Sequence, residues 1–89
     1  MKCVQIQISG KVQGVWFRAS TQRKANELNI KGIVKNLSNG DVYIEAEGED
    51  NALGNFVKWC HQGSDHSRVY NVTTSKLELK SFDDFKIVR

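Results

Sequence analysis

Arg18 and Asn36 are the residues whose types and surroundings could do chemistry. Arg18 closes the stretch Gly10-Lys11-Val12-Gln13-Gly14-Val15-Trp16-Phe17-Arg18. A guanidinium is a permanent charge whose planar fork matches phosphate oxygens. Gly10 and Gly14 can take backbone angles closed to other residues and let a bound group come close to the main chain. Successive backbone N–H groups in such a turn converge into an anion-binding nest, and a helix start adds unpaired N–H groups and its positive dipole end. The chemistry this stretch would do is phosphate binding. The same spacing equally suits a plain strand-to-helix turn. Asn36 equally suits an asparagine that merely closes a strand. Neither familiar phosphate loop fits, because the third glycine of a dinucleotide loop and the Gly-Lys-Ser/Thr of a nucleotide-hydrolase loop are both missing.

The elements that must position these two residues follow from hydrophobic periodicity. Val4, Ile6 and Ile8 alternate with Cys3, Gln5, Gln7 and Ser9, which predicts a strand over 3–9 with the aliphatic side chains inward. Phe17, Thr21, Ala25 and Leu28 share one face of a helix over 17–28, ended by Asn29 as a left-handed cap. Strands are expected over 30–36 and 41–47, the second alternating Val42, Ile44 and Ala46 against Tyr43, Glu45 and Glu47. Asn39-Gly40 between them is a strong hairpin signal. Leu53, Phe56, Val57 and Cys60 form the apolar stripe of a helix over 50–62, ended by Gly63. Gly54 in its middle is expected to allow close packing on the sheet. A fourth strand begins near Val69, bends or bulges at Thr73-Thr74-Ser75 and resumes at Leu77 and Leu79. Phe85 to Arg89 reads as a short fifth strand or a continuation at the sheet edge.

Strand, helix, strand, strand, helix, strand is the α+β, ferredoxin-like βαββαβ order, an antiparallel sheet of four to five strands with two helices on one face. Strands 1 and 2, joined by a helix crossover, run parallel, so their C-terminal ends emerge on the same edge. Arg18 and Asn36 therefore converge although 17 residues separate them. With strand 3 between them the axes lie roughly 10 Å apart, a gap that two side chains and a phosphate fill.

Gly-x-Val-Gln-Gly-Val-x-Phe-Arg at 10–18 resembles the signature of the acylphosphatase family, and it stands complete. A second family motif, Asn-x-x-Asp/Asn-Gly-x-Val, stands as Asn36-Leu37-Ser38-Asn39-Gly40-Asp41-Val42. The resemblance runs over nearly the whole chain and is strongest between residues 8 and 48. It implies hydrolysis of a small-molecule acyl phosphate to a carboxylate and inorganic phosphate. Arg18 and the backbone N–H groups of Gln13, Gly14, Val15, Trp16, Phe17 and Arg18 would bind the phosphoryl oxygens. Asn36 would orient the attacking water, whose proton would pass to the substrate phosphate. A carboxylate leaves readily, so no strong general acid is needed, and the loop contains no His, Asp or Glu. No metal and no cofactor are implied, since His61 and His66 lack Cys or carboxylates at ligand spacing. Thr21 also matches the family, as support beneath the cradle or as a back-bonding helix residue. Trp16 departs from a position that is variable and often smaller. Ile33 replaces an aromatic, Asn29 a glycine, and Gly63-Ser64 a common Gly-Pro. Trp16 either lips the site or packs at the surface.

Composition bounds the alternatives. Eighty-nine residues with 39% hydrophobic and 26% charged content suit one globular domain over 1–89. No apolar run approaches a membrane span, and no signal-peptide core precedes the first strand, so a cytoplasmic monomer is expected. A net charge of +3 and a pI near 9.0 suit an anionic ligand but do not imply nucleic acid. An RNA-binding domain of the same element order would carry aromatics on strands 1 and 3, where only Tyr43 occurs. A silent anion-binding module is the other rival, and it would bind phosphate without turnover. Cys3 on the polar face of strand 1 and Cys60 on the stripe of helix 2 point to opposite sides of the sheet and are expected free. A phosphatase cysteine needs Arg six positions on, where Ser9 and His66 stand instead.

Overall fold

Alternation builds the strands where the sequence places them. The computed structural model describes residues 1–89 as β1 (Lys2–Lys11), α1 (Phe17–Glu27), β2 (Lys31–Asn36), β3 (Val42–Gly48), α2 (Asp50–Gln62), β4 (Arg68–Leu77) and β5 (Phe85–Ile87). Ile6, Ile8, Val34, Val42, Ile44 and Ala46 face the helices and are fully buried. Phe17, Thr21 and Ala25 of α1 and Leu53, Phe56 and Cys60 of α2 meet them. Val4 and Val57 stay partly buried against this core. Asn29 takes the left-handed conformation expected after α1, with φ 59°.

The strand order is β4-β1-β3-β2-β5. β3 pairs antiparallel with both β1 and β2, so β1 and β2 run parallel on either side of it. The fold is the expected ferredoxin-like α+β sandwich, but the sheet is mixed rather than antiparallel. β5 pairs parallel with β2, Phe85 beside Gly32 and Ile87 beside Val34. The reason is directional. β4 runs away from the Asn36 end of the sheet, and the chain reverses before β5, which then runs back toward Asn36.

The irregularity in β4 also lies elsewhere than expected. Thr73, Thr74 and Ser75 pair in register with Gln7, Ile6 and Gln5. The register shifts instead between Ser9 and Gly10, which pair with Asn71 and Val69 and leave Tyr70 as the extra residue. A bulge of this kind bends its strand and strengthens the local twist.

The sheet face away from the helices is not open throughout. The segment joining β4 to β5 crosses its far end, and Lys80, Ser81 and Phe82 donate backbone N–H bonds of 2.7, 3.2 and 2.9 Å to the Glu47 carboxylate. Glu47 and its neighbour Cys3 are thereby buried, although the alternation assigns both to the polar face. Both cysteines are free, with Cys60 in the core on the other side of the sheet. Gly54 corrects a further expectation. It faces solvent, and a Cβ there would meet nothing within 4 Å, so close packing does not require it.

Two outcomes follow. Gly54→Ala removes backbone freedom from the unfolded chain without a native clash, and should raise stability by about 0.5–1 kcal/mol in urea unfolding with an unchanged slope. Burial pushes the Glu47 carboxyl up, but the N–H donors of Lys80, Phe82 and Ser81 outweigh it and hold the carboxyl below its ordinary 4.5. A carboxyl lowered on folding stabilises the fold above its unfolded pKa and loses that contribution as pH falls through the folded one. Glu47→Gln should therefore lower Tm at neutral pH, and the gap to wild type should shrink as the pH falls below about 4. A gap independent of pH would mean that the carboxylate charge contributes nothing.

Candidate active site

The turn after β1 is shaped from both sides. Gly10 has φ 138°, and a Cβ on it would collide with the Arg68 carbonyl and the Tyr70 N–H of β4. The two backbones thus approach closely at the bulge, one residue before β1 ends at Lys11. Gly14 has φ 74° with open space where a Cβ would project. Trp16, the residue before α1, has φ 62° and ψ 20°. Left-handed backbone at 14 and 16 interrupts the ordinary conformation of Val15, the alternation that turns successive N–H groups to one side. Outside the regular elements no backbone hydrogen bond has a donor between Gln13 and Ala19, and α1 makes its first at Ser20 to the Trp16 carbonyl, 3.0 Å. A continuous run of N–H groups is left without an acceptor in the protein.

Arg18 lies in the first turn of α1 and belongs to none of the ion pairs, which join Lys2 to Asp50, Lys24 to Glu27 and Lys80 to Glu45. Asn36 ends β2, two residues beyond Val34 and so on the helix-facing side. Its Oδ1 is buried without a hydrogen-bond partner. An unpartnered buried carbonyl oxygen costs about 1–3 kcal/mol and is rare. Gly14, Trp16, Phe17, Arg18 and Asn36 line one cavity of about 370 Å³, joined by Ile87 and Arg89 from the end of β5. This cavity is lined by two arginines and by no Asp or Glu side chain. A neighbouring cavity of about 400 Å³ behind Trp16 mixes Arg23 and Lys24 with Glu27 and Asp65, and lacks both Arg18 and Asn36. Its carboxylates make it a poor anion site. No group of three or more His, Cys, Asp or Glu side chains is arranged to hold a metal ion.

Known proteins share much of this sequence and its fold. The family model described as acylphosphatase matches residues 4–87. The chain belongs to the acylphosphatase family. An acylphosphatase of Coxiella burnetii is 40% identical over 85 residues, 96% of this chain and 90% of the relative. One of Marinobacter nauticus is 46% identical over 80 residues, 89% of this chain and 87% of the relative. The crystal structure of acylphosphatase from Bacillus subtilis superposes with a TM-score of 0.97 at 38% identity, covering 100% of both chains. The reaction class is therefore hydrolysis of acyl phosphates.

In this acylphosphatase chain, Gln13 and Val15 do not line the cavity with their neighbours. Val15 turns its side chain to the core and leaves its carbonyl to Ser64 Oγ, 3.1 Å. The Gln13 side chain turns the other way. Its Nε2 donates to the Leu37 carbonyl at 2.8 Å and to the Asp41 carbonyl at 2.9 Å, tying the cradle to the hairpin beyond Asn36. Thr21 Oγ1 donates to the Phe17 carbonyl at 2.8 Å, so the back-bonding alternative describes it. Trp16 lips the site and is 79% exposed. Sequence reading misses the positioning roles of the Gln13 side chain and Ser64, and the presence of Ile87 and Arg89. Only the hydroxyl of Ser64 hinted at the tie, since a proline there would have no donor.

Gln13→Ala should cut kcat/KM for an acyl phosphate by at least about tenfold, because a misplacement of the cradle by a fraction of an ångström is costly to in-line transfer. Gln13→Glu, which keeps the size but lacks the donor, should lose as much. Full activity in both variants would show that the tie does not position the cradle.

Proposed function

We propose that Arg18 and the backbone N–H groups from Gln13 to Arg18 hold the phosphoryl group of an acyl phosphate, while Asn36 holds the water that attacks it. The observation that carries this reading is the meeting of an unpartnered N–H run, an unpaired guanidinium and an unpartnered Asn36 Oδ1 around one cavity. Each is a hydrogen-bonding capacity that the protein leaves unused, and together they match a phosphoryl dianion with a water beside it.

The transferring phosphoryl group spreads negative charge over its three equatorial oxygens. Fixed N–H dipoles and a guanidinium stabilise that charge with little reorganisation. The Asn36 amide offers an acceptor for a water proton and donors for its oxygen. The water oxygen forms a bond to phosphorus as the phosphorus–oxygen bond to the acyl carboxylate breaks, and that bond's electron pair leaves with the carboxylate. One water proton passes to a phosphoryl oxygen, which yields a carboxylate and dihydrogen phosphate. No side-chain acid is required because the leaving group is already a weak base.

A small-molecule substrate fits the rest of the surface as well. The one aromatic on the uncovered face of β1 and β3, Tyr43, spends its hydroxyl on Glu45 at 2.6 Å and Gln5 at 3.1 Å and has no aromatic neighbour on β1. That face offers no platform for stacking bases. Every group in the scheme comes from one chain, so a monomer suffices.

Hydrolysis of benzoyl phosphate by wild type, Arg18→Ala and Asn36→Ala, with EDTA present, tests the assignment. Arg18→Ala should lose at least about 10²–10³-fold in kcat/KM. Asn36→Ala should lose kcat with little change in KM and keep its inhibition by inorganic phosphate. Substantial turnover in Asn36→Ala would remove the water role. Wild type protected by phosphate against thermal unfolding but without turnover would make the site a silent anion binder.

A further inference from the structure

Trp16 carries two features that a residue of its kind rarely combines. Its backbone is left-handed at φ 62°, where bulky side chains are outliers, and its indole is among the few large apolar groups left exposed. Strained backbone persists where the surroundings over-determine it, and it clusters at ligand clamps. Ile87 is also on the short roll of exposed large apolar residues, at 39%. Trp16 and Ile87 line the same cavity, the one that holds Arg18 and Asn36. They reach it from unrelated elements. Trp16 comes from the cradle. Ile87 comes from β5, beside Val34 and fixed by the Val88 N–H to the Val34 carbonyl at 2.9 Å. Val12, Phe17 and Ala19 also line this cavity.

A phosphoryl group needs none of this apolar surface. We infer that Trp16 and Ile87 form the seat of the acyl group and make this enzyme selective for acyl phosphates with an aromatic or bulky apolar acyl part. The inference rests on the phosphoryl group lying in the cradle as proposed above. Trp16 serves both parts of the site on this reading, since its side chain lines the cavity and its N–H belongs to the unpartnered run. An acyl group lying against the indole covers apolar surface that the free enzyme leaves in water. A short acyl chain such as acetyl reaches little of it. Pocket contacts of this kind discriminate by about 10–200-fold per group.

The test is the ratio of kcat/KM for benzoyl phosphate to that for acetyl phosphate, in wild type, Trp16→Asn, Trp16→Phe and Ile87→Ser. Asparagine tolerates left-handed backbone, so Trp16→Asn removes the indole while keeping the turn. The wild-type ratio should exceed about tenfold. It should fall at least fivefold in Trp16→Asn and in the same direction in Ile87→Ser, while Trp16→Phe keeps most of it. Inhibition by inorganic phosphate, which has no acyl part, reports on the cradle separately and shows whether each variant is folded at the site. Equal losses on both substrates, or an unchanged ratio, would overturn the acyl seat and leave the phosphoryl site standing. A preference for succinyl phosphate that Arg89→Gln abolishes would also overturn it, in favour of an anionic acyl group. No hydrolysis of either substrate by wild type would bring down the reading of the site itself.

Discussion

A run of backbone N–H groups with no acceptor in the protein sets the terms for everything around it. Peptide N–H groups are paired almost without exception, with protein or with water, and a free turn would close on itself or extend α1 backwards. From Gln13 to Ala19 the chain does neither. It is held open from outside. Gly10 is pressed against the β4 backbone, Gln13 reaches to the Leu37 and Asp41 carbonyls, and Ser64 takes the Val15 carbonyl. Phe17 buries its ring in the core beside Trp59, with centroids 5.6 Å apart, and so fixes the start of the helix. Features scattered over more than fifty residues of sequence answer one requirement.

Asp41 shows how the hairpin serves the same end. Its carboxylate accepts Gln7 Nε2 at 2.7 Å and Asn39 Nδ2 at 3.3 Å, its N–H donates to Asn39 Oδ1, and its carbonyl accepts both Gln13 and the Leu37 N–H. One residue of the turn thus joins β1, the hairpin and the cradle. Asn36 sits immediately before this knot. The amide therefore adjoins a turn held by bonds to β1, the hairpin and Gln13, as the positioning role proposed for Asn36 would require. The exposed Ser38-Asn39 tip, by contrast, does not line the cavity.

Periodic patterns report which residues share a face, and they made most of this legible. The aliphatic positions of β1 and β3, the stripe of α2 and the left-handed Asn29 lie where spacing puts them. The convergence of Arg18 and Asn36 follows from a crossover rule that holds regardless of side chains. What stayed hidden depends on contacts distant in sequence. The bulge lies at Tyr70, where Gly10 of the neighbouring strand is pressed against the β4 backbone, which nothing in Thr73-Thr74-Ser75 could announce. Glu47 and Cys3 alternate correctly yet are buried, because a crossing segment more than thirty residues away covers them. The direction of β5 is set by the reversal after β4, and with it the arrival of Ile87 and Arg89. Gly54 looked like a packing glycine only because the pattern cannot say which side of a helix a neighbour occupies.

The far end of the sheet also gathers N–H groups around an anion, one that belongs to the chain itself. There Lys80, Ser81 and Phe82 aim their N–H groups at the Glu47 carboxylate, and Ser81 is left-handed at φ 57°, much as Trp16 is at 62°. Burial alone would favour the neutral acid, yet these donors prevail and keep Glu47 below its ordinary pKa. Three N–H groups therefore stabilise a buried monoanion against its own desolvation. The cradle brings a longer run of such groups and adds the unpaired charge of Arg18. On the reading proposed above, the cradle would set the same kind of balance for a phosphoryl group. The difference lies in attachment. Glu47 is part of the chain and locks the crossing segment in place, whereas the phosphoryl group proposed for the cradle would come and go.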